Sequence, residues 1–356
     1  MFSQAPFAHG HAVAAILAGA WRAAPPDFVG SIAELEEVAP LLEGSGAAAL
    51  GWWKIRHTIL RESCPARGFQ QAYRFQTLQA ALREQEVAKV FARLEAAGVD
   101  ALLVKGWASA RLYPEQGLRP SGDIDLCVSP KHLARASHAL EGARVWVDLH
   151  EGFGEDRGLD FDGTYERAER LKIDGANVHV LAPEDHLRLL CLHFLRHGAW
   201  RPLWLCDVSA SIEGEGRATN FDWARVFGSD KRRARWVACA VGLAEKLLGA
   251  STAGTPFERA AKELPHWLAP EVLKQWATPF AAMQAPMRYR APMRKYLRRP
   301  GGVWRDLLRR WPNPIEATLR VGGPLNELPR WPFQLANCLK RTTRFLTSAN
   351  KAATRV

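Results

Sequence analysis

At 356 residues, with 47% hydrophobic and 24% charged side chains, the chain has globular composition, which excludes disordered and collagen-like classes and, at about 100–200 residues per domain, favours two or three packed units. The net charge of +11 is concentrated at one end: from Arg288 onward 16 Lys and Arg face three acidic residues, so the rest of the chain sums to about −2. Cysteines 64, 127, 191, 206, 239 and 338 form no C-x-x-C pair, which argues against a zinc site or a disulfide framework and predicts reduced core residues.

In chain order, residues 1 to about 70 carry helical patterning. Ser31 stands three residues before Glu34, the spacing of a capping box. The run FQTLQAALREQEVAKVFARLEAA, Phe75 to Ala97, is rich in strong helix formers and is stopped by Gly98. The period then changes: DALLV, 100–104, reads as a short buried strand between Gly98 and Gly106. A helix follows from Gly106 to Tyr113, then a loop rich in proline and glycine, YPEQGLRPSG. DIDLCV, 123–128, alternates as a half-buried strand does. Ser129 and Pro130 open a helix that runs to Leu140. RVWVDLH, 144–150, alternates again, and NVHVL, 177–181, predicts a further strand. Beyond Pro183 the pattern is helical almost to the end, and from about Pro286 proline-rich turns interrupt Arg- and Trp-bearing pieces.

Strand side chains alternate with period two, so Asp123 and Asp125 share one face, and Asp148 and His150 share one face of the later strand. If the two strands are neighbours, three carboxylates converge. Such a cluster repels itself unless a divalent cation is present, and an all-oxygen donor set suits Mg2+ or Mn2+. A D-x-D pair alone is common on an exposed strand face; its setting gives it weight here. Lys105-Gly106 ends the preceding strand at a strand-to-helix turn, where glycine lets a phosphate approach the backbone. Ser109 and Arg119 flank the same loop, the arginine able to offer a bidentate fork to phosphate.

The run LLVKGWASARLYPEQGLRPSGDIDLCV resembles the signature of the uncharacterised bacterial nucleotidyltransferase family of the DNA polymerase β-like superfamily, L-K-G followed by R-x-x-G-D-I-D-L. VDLH at 147–150 resembles the family's acidic strand, and HLRLLCLHFLRHGAWRPLWLCDVSASI with FDW resembles its helical half. The resemblance spans residues 75 to 230. It implies an α+β fold, a polymerase β-like nucleotidyltransferase core with a small mixed sheet and flanking helices, and transfer of a nucleoside monophosphate from an NTP to an acceptor. Asp123, Asp125 and Asp148 would bind Mg2+ or Mn2+, and Lys105 and Gly106 would contact the nucleotide. Where the superfamily has Gly-Ser at the turn, this chain has Gly106-Trp107.

The expected organisation is a helical region over 1–74, a catalytic domain over 75–182, a helical domain over 183–285 and a basic segment over 286–356. His150 is a candidate base or acceptor-orienting group; Trp107 and Trp146 are candidates to stack on a base. His193, one turn from His197, and Arg196, Arg201 and Asp207 belong to a half that would close over the nucleotide; structural roles are as natural for all of them. HFLRH lacks the glutamate of H-E-x-x-H, which excludes a zincin. In the tail, GVWRDLLRRW puts Val303, Trp304, Leu307, Leu308 and Trp311 on one helical face opposite arginines. An anionic partner is expected for this segment: nucleic acid, a phosphate-bearing acceptor or an anionic membrane. The acceptor itself is open among a small molecule, a peptide, a protein and tRNA. The N-terminus lacks the basic region of a secretory leader and no stretch reaches about 18 apolar residues, so a cytoplasmic protein, peripheral at most to a membrane, is expected. The second reading is an inactive nucleotidyltransferase fold kept as a binding or regulatory protein.

Overall fold

The computed structural model describes residues 5–153, 158–279 and 311–353. Helix α1 (Ala5–Leu17), α2 (Ile32–Ser45) and α3 (Ala48–Ile55) lead the chain. The capping box is formed: Ser31 Oγ accepts the Glu34 N–H, and the Glu34 carboxylate accepts the Ser31 N–H at 2.8 Å. Helix α4 is longer than its propensity suggests, starting at Cys64 with Pro65 in its first turn and running 33 residues to Ala96. Its two ends serve different cores. Ala66 and Phe69 pack among the N-terminal helices, whereas Val87, Val90, Phe91 and Leu94 pack on the sheet.

The strands are β1 (Ala101–Leu103), β2 (Ile124–Val128), β3 (Val147–Glu151), β4 (Glu169–Ile173) and β5 (Ala176–Val180), in the order β3-β2-β1-β5-β4. β2 is parallel to β3, β1 is parallel to β5, and the β1–β2 and β4–β5 pairs are antiparallel. Short helices α5 (Trp107–Ala110), α6 (Leu133–Ala139) and α7 (Phe161–Glu166) connect them. Three expectations need correction. β4 was not anticipated, although Asp174-Gly175, both at positive φ (45° and 82°), forms the two-residue hairpin turn that Asp-Gly favours. β3 starts at Val147 rather than Arg144, leaving Trp146 exposed at 77%. The helix after Ser129 opens as a 3-10 turn over Pro130–His132, and the serine side chain makes no capping bond.

Ile124, Leu126 and Val128 face the layer made by α4 and α6, while Asp125 and Cys127 face the other side with Leu102 and Val104. That second side is covered by α8 (Pro183–Arg196), which contributes Leu189. Helices α9 (Pro202–Glu213), α10 (Trp223–Phe227), α11 (Lys231–Leu248), α12 (Leu268–Trp276) and α13 (Pro314–Arg320) follow, then α14 (Trp331–Ala353). One hydrophobic core joins α1–α3 to α8–α13, with Ile16, Leu50, Phe194, Val241 and Ile315 all fully buried in it. Leu319 and Leu325 are buried in it too, so this part of the basic segment is packed onto the body. The predicted basic helix from Val303, and the arginines between 288 and 310, lie outside the described residues. Cysteines 127, 191, 206 and 239 are buried as expected; Cys64 is exposed and Cys338 half-exposed.

Candidate active site

Because β2 and β3 run parallel in register, Asp125 stands directly beside Asp148, and Cys127 beside His150. Neighbouring strands are about 4.8 Å apart, so paired side chains on one face are forced together. Ligand atoms of Asp125, Asp148 and His150 lie within 4.8 Å of one another, the carboxylate of Asp125 buried, that of Asp148 half exposed. His150 Nε2 is 3.2 Å from Asp148 Oδ2 and 3.6 Å from Asp125 Oδ1. Neither contact meets the geometry of a hydrogen bond, so among the described residues this buried nitrogen is held by its approach to the two carboxylates alone. Two carboxylate oxygens and an imidazole nitrogen are a donor set that fits a divalent cation. Asp123, just ahead of β2, is half-buried and lies outside the group of three.

Lys105 Nζ is 2.7 Å from Asp125 Oδ1. Burial pushes the Asp125 carboxyl up, but the His150 ring and the charge and hydrogen bond of Lys105 outweigh it and hold the group below the ordinary carboxylate range. Gly106 follows at φ +56°; a Cβ there would stand 2.9 Å from Ser121 Oγ and 3.2 Å from Asp123 O. The loop that delivers the D-x-D strand therefore rests directly on this turn, and only glycine leaves it room.

The other predicted residues sit farther back. Arg119 is buried, and its guanidinium meets the fully buried Asp207 of α9, with Nη2–Oδ2 at 2.8 Å, while Tyr113 donates its hydroxyl to Asp207 at 2.8 Å. Ser109 is buried, its Oγ 3.3 Å from His186 Nε2. Trp107 is buried in the sheet core. Arg201 donates from Nε to Ser45 O at 2.7 Å and tethers the end of α2 to the start of α9. Burial and the charge of Arg119 lower its pKa to about 10, with Asp207 and Asp123 opposing.

Beside the carboxylates lies a cavity of 280 Å³ between the sheet and α8, lined by Lys105 and His150 from the sheet, His193, Arg196 and His197 from α8 and Arg320 from α13, among others. His193, Arg196 and His197 share a helical face, as their spacing implies. Arg320 was not legible as a site residue, since nothing local in the sequence relates it to residue 105. The rings of His193 and His197 are 4.5 Å apart, and each also contacts Trp204.

A five-stranded mixed sheet flanked by helices, with two carboxylates paired across parallel strands beside a lysine, is the α+β fold of a nucleotidyltransferase with a site compatible with metal binding. The uncharacterised nucleotidyltransferase family matches residues 33–145 and 142–249, and the chain belongs to that family. No curated protein and no solved structure matches it. The match begins in α2 and ends just past α11, wider than the 75–230 of the motifs. The Arg201–Ser45 tether and the shared core are the physical reason: α2 and α3 belong to the unit that α8 and α9 build. Among the described residues no helix is long and apolar enough to cross a membrane.

Proposed function

We propose that the protein transfers a nucleoside monophosphate from an NTP to an acceptor, with release of pyrophosphate, at the Asp125–Asp148 edge of the sheet. The observation that carries this reading is the register of β2 on β3, which sets those two carboxylates side by side and adds His150 to them. Asp125, Asp148 and His150 would hold Mg2+ or Mn2+, with Asp123 as a further carboxylate at the same end of β2. The cation, when bound, neutralises charge on the transferring phosphoryl group and its leaving pyrophosphate.

The chain's own residues supply the rest. With the His150 ring, Lys105 holds the Asp125 carboxyl below its ordinary range, and it brings a positive charge to the strand end where phosphates would sit. Gly106 keeps the turn free of a side chain, so its backbone is open to a phosphate. Asp148, half exposed, would accept the proton that an acceptor hydroxyl loses. Arg119 acts at one remove, fixing through Asp207 the loop that carries Asp123. We read the basic segment from Arg288 onward as a contact for a phosphate-bearing acceptor such as tRNA; that contact would weaken steeply with salt.

Asp125→Asn should abolish turnover of an α-labelled NTP and its transfer to any component of a cell extract, while the circular dichroism spectrum is unchanged. Full activity in this variant would end the proposal. Nucleotide binding without turnover in the unaltered chain, under any divalent cation, would favour the binding-protein reading.

A further inference from the structure

Helix α14 meets the body with its polar side. The residues it buries are Gln334, which donates from Nε2 to the Pro312 carbonyl at 2.7 Å, and Asn337, 1% exposed, whose Nδ2 has no hydrogen-bond partner among the described residues. Trp331, Leu335 and Leu339 follow one another at a spacing of four and are 61%, 44% and 61% exposed. Residues at that spacing lie about 40° apart around a helix axis, so the three form one continuous stripe. The turn before the helix exposes Leu328 as well. A helix lying on a globular core ordinarily turns its apolar stripe inward, because burial of that surface is what holds it there. Here the stripe points outward and the amides point in.

The charge beside the stripe has a single sign. Residues 331–353 include four Lys and Arg and no acidic residue. Lys340 and Arg341 are exposed, and neither is paired with a carboxylate among the described residues; Lys340 spends one donor on the Arg320 carbonyl at 2.8 Å. Nucleic acid would account for the charge but not for the leucines, since its contacts are made by cations on phosphates and by aromatic faces on bases. A second copy of the helix would set like charges against one another. An anionic bilayer takes both features: the apolar side enters the boundary between headgroups and acyl chains, and the basic side chains stay among the headgroups.

We propose that α14 seats the protein on an anionic membrane surface, with Trp331, Leu335 and Leu339 inserted and Lys340 and Arg341 at headgroup level. The proposal does not rest on the nucleotidyl-transfer reading. It concerns the apolar stripe, which the acceptor contact proposed for the basic segment leaves unused.

The test is flotation of the full chain with vesicles of phosphatidylcholine alone and with about one-third phosphatidylserine. Binding is expected only to the anionic vesicles. Leu335→Gln with Leu339→Gln should weaken it about tenfold or more, and Lys340→Gln with Arg341→Gln about tenfold, with a shallower dependence on salt. All four side chains are exposed, so the urea midpoint should hold in both variants. Failure to bind anionic vesicles, equal binding to neutral ones, or undiminished binding by the leucine variant overturns the proposal. A leucine variant that loses tRNA association while keeping vesicle binding assigns the stripe to nucleic acid, and one that passes from dimer to monomer where the unaltered chain binds no vesicles assigns it to self-association; either result refutes a membrane seat. If the leucine variant does not fold, vesicles with brominated acyl chains decide on the unaltered chain: quenching of its tryptophan fluorescence, reduced in Trp331→Phe, supports insertion, and no quenching refutes it. Transfer activity in solution should be the same in the leucine variant and the unaltered chain, so loss of vesicle binding and loss of catalysis are read separately.

Discussion

Replacing Asp207 by alanine should be among the most damaging single changes in the protein. Its carboxylate, with no solvent exposure, accepts hydrogen bonds from Arg119 Nε at 3.2 Å, from Arg119 Nη2 at 2.8 Å and from the Tyr113 hydroxyl at 2.8 Å. Asp207→Ala leaves a buried guanidinium without its counter-charge, a defect worth about 3–5 kcal/mol, and strands a phenol whose lost acceptor costs about 1–3 kcal/mol more. The two losses share one cause and do not add in full, so we expect about 4 kcal/mol or more, read as a fall in unfolding free energy by urea denaturation. The paired replacement Arg119→Met with Asp207→Leu, which removes both charges and refills the volume, should recover the part of that loss owed to the unpaired guanidinium, the Tyr113 hydroxyl remaining without its acceptor. It also separates structure from binding: if Arg119 acts only through Asp207, the double variant keeps its nucleotide affinity within about tenfold. A loss below about 1 kcal/mol for Asp207→Ala, the value of an exposed ion pair, would refute the argument that this contact clamps the D-x-D loop to α9.

Gly106→Ala should cost about 1–3 kcal/mol for its left-handed backbone and its approach to Ser121, and should reduce turnover further, seen by comparing melting temperature with kcat. Stability should fall as pH drops from about 6.5 toward 4, because His186 and His197, each lowered to about 4 chiefly by burial, stay neutral in the folded chain while the unfolded chain takes up protons. Each contributes up to about 1.4 kcal/mol per pH unit in that window, and His186→Gln should flatten its share of the slope in urea titrations between pH 7 and 5. Deleting residues 288–356 removes the buried Ile315, Leu319 and Leu325 and the Gly323 carbonyl that Trp236 bonds at 3.1 Å. At about 1.5–3 kcal/mol for each large apolar side chain, the truncated chain should unfold early in urea; an unchanged midpoint would show that the segment is not part of the core.

Much of the candidate site was legible because strand geometry is local. Alternation alone assigns Asp125 to the face opposite Ile124 and Leu126, and Asp148 and His150 to one shared face; the structure keeps both assignments. The Gly106 turn is equally local, and so is the capping box of α2. Three features were less visible. Short helices and turns blur against loops of similar composition, which is how the Asp174-Gly175 hairpin and β4 escaped. The lower end of α4, from Cys64, has mixed polarity because only its tips are buried, so its pattern carries a weak helical signal. The donor set changed character as well: an all-oxygen cluster of three aspartates was expected, and the atoms that converge are those of two aspartates and a histidine.

Which side chains share a face is local, since it follows from a backbone period of two or of 3.6 residues. Which faces meet is settled by packing across the whole chain. That β3 lies parallel to β2 with Asp148 level with Asp125, that Arg119 turns to an aspartate 88 residues away, and that Arg320 completes a basic cavity with Lys105 are long-range outcomes. They are set by how the apolar faces of the sheet and helices bury one another. No window of the chain contains both partners of such a contact, and a strand slipped by one residue would carry every one of its side chains to the opposite face.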